Sequence, residues 1–317
     1  MIKKLIYKIK KNPFQYFLLK LLVFIAIVFV IDFAVGNVLR YLYFKQESGL
    51  LYRTTYSIEK TTADVLVFGS SRANHHYHPE VLEKRLHLSY YNVGRDGNFM
   101  FYHYAVLKGI LKRYSPKLII LDFVKGEFKP SQESYDRLSS LLPYYHSHPE
   151  MRSIIELKSK YEWLKLVSSI YPYNSSIFTI AAGNAEFNKT RKGDIQGYVP
   201  LSKTWNGPLQ IDSSSTNKEI DSNKVNMYAS FIKDCISSKV KLIVVCSPYY
   251  HKSLHPDYSL TLGQEIARKY NVPFFDYSSD SMFVNNVKYF ADINHLNDGG
   301  AMVFSNILVD KISKTND

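Results

Sequence analysis

The stretch Asp64-Val-Leu-Val-Phe-Gly-Ser-Ser-Arg-Ala-Asn74 decides how the rest of the chain is read. Four apolar or β-branched residues, Val65 to Phe68, run straight into Gly69 and two serines. That is the pattern of a buried strand ending in a tight turn. A turn of this kind lifts a side chain clear of the sheet edge, so Ser71 is a candidate nucleophile. A serine in that role needs a base, an orienting carboxylate and oxyanion donors from elsewhere in the chain.

Outward from this stretch a βα rhythm appears. The pattern predicts strands at Asp64–Phe68, Tyr90–Val93, Leu118–Phe123, Leu242–Cys246 and Val272–Phe275. Helical patterns lie between them, near Pro79–Leu86, Met100–Tyr114, Asn223–Ser237 and Leu260–Tyr270, with a last helix from about Gly299 to Ile312. Alternation of this kind implies an α/β fold, with a parallel sheet covered on both faces and working residues at the strands' carboxyl ends. Between Glu127 and Asn223 the rhythm breaks into an apolar, helix-like stretch, Met151–Ile170, and a loop-like stretch, Ala182–Asn217. Residues 127–223 are therefore expected to form an insertion or cap over the site. Cys235 and Cys246 fall at opposite ends of adjacent elements, which predicts two free, buried thiols.

Just before the last helix stands Phe290-Ala-Asp-Ile-Asn-His-Leu-Asn-Asp-Gly-Gly-Ala301. Asp292 and His295, three residues apart, face one another if the loop makes a single helical turn, and Asn297 or Asp298 is placed to cap the helix. A serine hydroxyl is too weakly acidic to attack an ester at neutral pH, so an imidazole must take its proton as the bond forms. A carboxylate on the imidazole's other nitrogen then fixes the tautomer and stabilises the imidazolium. His295 and Asp292 suit these two roles.

Gly69-Ser-Ser71 after the first strand, together with Asp292-x-x-His295 before the last helix, resembles the SGNH/GDSL superfamily of serine esterases and acyltransferases. The resemblance spans roughly residues 60–315, interrupted by the insertion. It implies a flavodoxin-like three-layer sandwich with a central parallel sheet, and it places Ser71, Asp292 and His295 on the triad positions. Asn92-Val-Gly-Arg-Asp-Gly97 looks like the family's second block, in which a glycine N–H joins that of Ser71 in the oxyanion hole; Gly97 matches best by spacing, with Gly94 the alternative. The third block departs from the family. Leu121-Asp-Phe-Val-Lys-Gly-Glu127 has no asparagine where members carry Gly-x-Asn-Asp, which leaves Lys125, Asn74 and Asn98 as candidate substitutes. Arg72 is a candidate contact for an anionic substrate group, with a salt bridge to a loop carboxylate as the alternative.

The chain of 317 residues carries a formal net charge of +12. Lys3, Lys4, Lys8, Lys10, Lys11 and Lys20 supply six of those charges before any acidic residue appears, and the other six are spread without a basic helix or motif. The excess therefore reads as a topological signal, and nucleic acid is not an expected partner. Leu21–Ile31 and Phe33–Leu39 make an apolar segment of about 19 residues, near the length that crosses a bilayer. The expected layout is a basic cytoplasmic leader and single-pass anchor over residues 1–45, followed by a periplasmic or extracellular domain over 46–317. Tyr41, Tyr43 and Phe44 would form the outer aromatic belt, and Asp32 would snorkel or contact a partner helix. This layout is similar to the family's membrane-tethered branch, which includes proteins of teichoic acid D-alanylation and alginate O-acetylation.

That similarity implies an esterase or O-acyltransferase acting on O-acyl groups, O-acetyl first among them, of a cell-envelope glycan or glycolipid. A membrane-bound acyltransferase is a candidate partner. The alternative is a non-catalytic scaffold of the same fold that binds an envelope polymer or such a partner. No cofactor is expected. Of His75, His76 and His78 only the last and His76 could converge on a metal, and zinc would need further ligands, so no metal site is assigned. Tyr249, Tyr250 and His251 follow the fourth strand and are candidates to shape the pocket.

Overall fold

A computed structural model describes residues 12–189, 191, 193–213 and 218–314. The five leader lysines Lys3 to Lys11 lie outside them, as do residues 214–217 at the end of the expected loop. Five strands form one parallel sheet: β1 (Val65–Phe68), β2 (Tyr90–Asn92), β3 (Leu118–Asp122), β4 (Lys241–Cys246) and β5 (Phe274–Asp276). Their spatial order is β2-β1-β3-β4-β5, the flavodoxin-like order, in which the chain reverses direction across the sheet between β1 and β3. Val65 pairs with Leu118, Val67 with Ile120 and Leu121 with Val244.

Period-two alternation sorts the side chains into two layers. Leu66, Phe68, Ile119, Leu121, Leu242 and Val244 share one core with Ile58, Val106, Ile110, Phe231 and Ile232. Val65, Val67, Ile120, Ile243 and Val245 share the other with Leu82, Phe304, Leu308 and Ile312. Both faces are thus covered, as a parallel sheet requires. Helices α1 (Pro13–Phe44), α2 (Gly49–Glu59), α3 (Ser71–His76), α4 (Pro79–Leu86), α5 (Met100–Leu111), α6 (Ser222–Ser237), α7 (Tyr258–Lys269) and α8 (Asp298–Ser313) are the main helical elements. α1 starts at an Asn12 cap, whose side chain accepts from the N–H groups of Phe14 and Gln15, followed by Pro13 at the position where a missing N–H costs nothing. Cys235 and Cys246 are both buried and free.

Three expectations are corrected. Met151–Ile170 is not one helix but a series of short turns, including the four-residue helices Arg152–Ile155 and Glu162–Lys165. Met151, Ile154, Ile155 and Leu166 are its buried anchors in an irregular layer, and its apolar residues lack a sustained helical period. Tyr43 and Phe44 do not form a lipid-facing belt. Tyr43 is buried, with its ring 6.1 Å from Tyr144 and 5.7 Å from Tyr173, and Phe44 packs 5.5 Å from Tyr144. Asp32 neither snorkels nor meets a partner helix. Its carboxylate accepts the Ser168 hydroxyl at 2.5 Å and the Ser169 N–H at 2.6 Å. The outer part of α1 is consequently part of the folded domain.

Candidate active site

Ser71 is the first residue of α3, directly beyond the C-terminal end of β1. The turn that puts it there depends on Gly69, whose φ of +144° is open to glycine and whose Cβ, if it had one, would lie 2.8 Å from those of Ala73 and Asp122. The hydroxyl of Ser71 lies 2.7 Å from His295 Nε2. On the imidazole's other side, Nδ1 lies 2.8 Å and 2.9 Å from the two oxygens of Asp292. Asp292 also accepts the N–H groups of Asn294 and His295, at 2.8 Å and 3.0 Å, so its side chain closes the loop that carries the histidine. Partial burial opposes ionisation of Asp292, but its bonds from the His295 ring and the Asn294 N–H prevail and hold the carboxyl below its ordinary value. Asn297 caps α8, accepting from Gly300 N–H at 2.9 Å, and fixes the far end of the loop.

A buried polar network that the sequence reading missed supports this arrangement from below. Asp122, the last residue of β3, accepts from Arg72 at 2.8 Å, the Tyr77 hydroxyl at 2.8 Å and the Ser247 hydroxyl at 2.6 Å. Ser247 in turn lies 2.8 Å from His76 Nδ1, and His76 Nε2 accepts the N–H of Leu296, the residue after His295, at 2.9 Å. Because Nε2 accepts, Nδ1 carries the proton and donates it to Ser247. Burial and then the nearby Arg72 charge push His76 well below its ordinary pKa, so the ring is neutral. The strand-end carboxylate thereby reaches the backbone beside His295 through two side chains. A lone aspartate closing the apolar run Leu118–Leu121 was the available signal in the sequence.

Several candidate residues have other work. Arg72 is 3 % exposed, paired with Asp122 and stacked 3.7 Å over the Tyr249 ring, so its charge is already matched within the fold while its side chain lines the cleft beside Ser71. Its partner is a strand-end carboxylate where the sequence suggested one in a loop. Asn74 is used at both ends of its amide: it accepts from Arg53 at 2.7 Å and donates to Asp96, which pins the turn after β2 to α3. Asn98 donates to the Asp96 carbonyl at 3.1 Å within that turn. Both asparagine amides are thus engaged with the turn after β2. Gly94 gives its N–H to the Asn92 side chain at 2.9 Å. Gly97, at φ +66°, rests against the Arg137 guanidinium, and its N–H has no acceptor among the described residues. His76 and His78 face separate partners, the latter 3.8 Å from Asp298.

Ser71 and His295 open on a cleft of about 410 Å³ lined also by Lys125, Tyr249, His251 and Asn294. The insertion contributes Lys129 and Asp212 to its rim. Lys125 donates to Ser253 at 3.1 Å, lies 3.5 Å from His251 Nε2 and pairs with no carboxylate among the described residues. Burial lowers its pKa, and burial with the Lys125 charge lowers His251 to about 4, so His251 is neutral at physiological pH. Tyr250 is turned to the triad loop, its N–H bonding the Ile293 carbonyl at 3.0 Å.

No protein-family model matches the sequence, and no curated protein matches it. Among solved structures, the chain is similar to one from Bacteroides fragilis described as a "putative acylhydrolase", with a TM-score of 0.42 and 13% identity. The likeness covers 86% of this chain and 99% of that one.

Proposed function

We propose that the protein is a membrane-anchored serine esterase or O-acyltransferase that removes an O-acyl group, O-acetyl first among the candidates, from an extracytoplasmic glycan or glycolipid. The observation that carries this reading is the continuous hydrogen-bonded line from Ser71 Oγ through His295 to Asp292. In it, His295 Nε2 takes the serine proton as Oγ attacks the ester carbonyl, and Asp292 stabilises the imidazolium that forms. The N–H of Ser71, which has no carbonyl four residues back within α3, is one oxyanion donor, and that of Gly97, matched by spacing and outside the cleft lining, is the candidate for the second. Lys125 is the remaining candidate for the place of the third-block asparagine, since it alone of the three lines the cleft. His295 then returns the proton to the leaving sugar oxygen, leaving an acyl-serine. Attack by water gives an esterase, and attack by a sugar hydroxyl gives a transferase.

The membrane part of the proposal is supported by α1, a helix of 32 residues with an apolar stretch long enough to cross a bilayer. The leader lysines favour a cytoplasmic N-terminus and an extracytoplasmic domain. Acetylated glycan incubated with the full chain, with and without a second glycan as acceptor, tests the reading by mass spectrometry. Free acetate marks hydrolysis and an acetylated acceptor marks transfer. Polymer binding with neither product, unchanged in Ser71→Ala, would favour a scaffold.

A further inference from the structure

We propose that Tyr161, Trp163, Leu164 and Val167 form a seat by which the folded domain rests on the outer leaflet of the bilayer that α1 crosses. The inference builds on the reading of α1 as a membrane anchor. The apolar segment Leu21–Leu39 extends about 28 Å as helix, close to the thickness of a hydrocarbon core. Its apolar side chains stand open from Leu22 and Phe29 to Phe33 and Val38. At Asp32 one face of the helix is taken up by the domain. The carboxylate is bound by Ser168 and Ser169 of the insertion, and Gly36, one turn further on, lets the Ser169 backbone approach so closely that a Cβ would overlap it. The domain therefore takes hold of one face of α1 within its apolar segment, beside side chains that stay open to lipid.

The residues just before this contact have an uncommon character for a water-facing surface. Tyr161, Trp163, Leu164 and Val167 are each between 54 % and 60 % exposed, and they lie within seven residues of Ser168. Trp163, in the turn Glu162–Lys165, is five residues from Ser168 in the chain and so close to the residue that binds Asp32. Its one inward residue, Glu162, is buried and held by Ser159, Tyr171 and Lys165, so the turn is fixed with its apolar side out. Lys160 lies over the Tyr161 ring. Aromatic rings beside a lysine, next to a helix whose open face is apolar, suit the headgroup and acyl boundary, where the rings are partly dehydrated and the Lys160 ammonium meets lipid phosphates. A soluble partner would have to cover the same rings while leaving the adjoining face of α1 in lipid, and the continuity of the two surfaces favours the bilayer.

Trp163 and Trp205 are the only tryptophans, which makes the seat directly readable. Full chain reconstituted into phosphatidylcholine/phosphatidylglycerol vesicles, as wild type and as Trp163→Phe, is compared with and without dibrominated phosphatidylcholine, and separately with aqueous iodide. The exposed position of Trp163 makes the replacement compatible with folding. The expected result is that bromolipid quenches a component of the emission present in wild type and absent in Trp163→Phe, and that iodide leaves this component unchanged. Chain that floats with the vesicles while its Trp163 component is quenched by iodide and not by bromolipid overturns the seat and leaves the anchor standing. Quenching by neither, which a covering protein or second copy would give, also overturns it. Chain that fails to float overturns the anchor itself and the seat with it.

Discussion

Ser71 gains its reactivity from position: a helix start one residue past a glycine turn, with an imidazole 2.7 Å away that is held by a carboxylate and a loop it cannot easily leave. Removing the base should therefore cost more than loosening it. His295→Ala is expected to lower kcat for an activated acetyl ester by on the order of 10⁴ or more, and Asp292→Asn by an equal or smaller factor through the wrong tautomer, both without change in the folded circular dichroism. Arg72 makes the opposite prediction. Because it is the buried partner of Asp122, Arg72→Ala should destabilise the fold by about 3–5 kcal/mol in denaturant titration, the cost of leaving a buried carboxylate unpaired. An arginine serving the substrate would instead raise KM and leave the midpoint unchanged. That Ser71, His295 and Asp292 would come together was legible in the sequence because turn chemistry and residue type restrict them strongly. The roles of Arg72, Asn74 and Asn98 were not, since whether a polar side chain meets substrate or the chain itself depends on packing between β3, α3 and the turn after β2 that no local pattern encodes.

At the level of elements, the βα rhythm translated closely into structure: all five strands formed where expected, with ends shifted by two residues or fewer. Their apolar runs and turn residues are local signals. The order β2-β1-β3-β4-β5 follows from connection rules once the strands are known. The insertion was not legible in the same way, because its short turns are held by individual contacts such as Ser168 to Asp32, between residues 136 apart in sequence. One element boundary carries a titration. Glu127 accepts the N–H of Met100 at the start of α5 at 2.8 Å, and burial, only partly offset by Lys224, raises its pKa to about 7. The folded state thus holds this proton more tightly than the unfolded chain does, so the Glu127 contribution to stability falls as pH rises from about 4.5 to about 7. Glu127→Gln should remove that dependence, and thermal melts across this range should show wild type losing on the order of 1–3 kcal/mol relative to the variant.

At the scale of the whole molecule, the folded domain grips the long apolar helix α1 that precedes it. Asp32 is the joint, and Asp32→Leu should free the insertion from α1. Limited proteolysis of the full chain in lipid is expected to cut within residues 160–189 several-fold faster in that variant, with turnover of a small activated ester unchanged because Ser71 and His295 lie on other elements. A helix apolar and long enough to cross a membrane was visible in the sequence, but the joint was not, because an aspartate in an apolar helix reads the same whether it meets lipid headgroups or another part of the chain. Everything in this arrangement depends on Ser71 being a nucleophile. The direct measurement is fluorophosphonate labelling of the full chain followed by peptide mapping. The account predicts one phosphonylated residue, Ser71, with labelling lost in Ser71→Ala and strongly slowed in His295→Ala. Labelling that persists in Ser71→Ala, or a wild type that stays unlabelled under conditions in which serine esterases react, would contradict it.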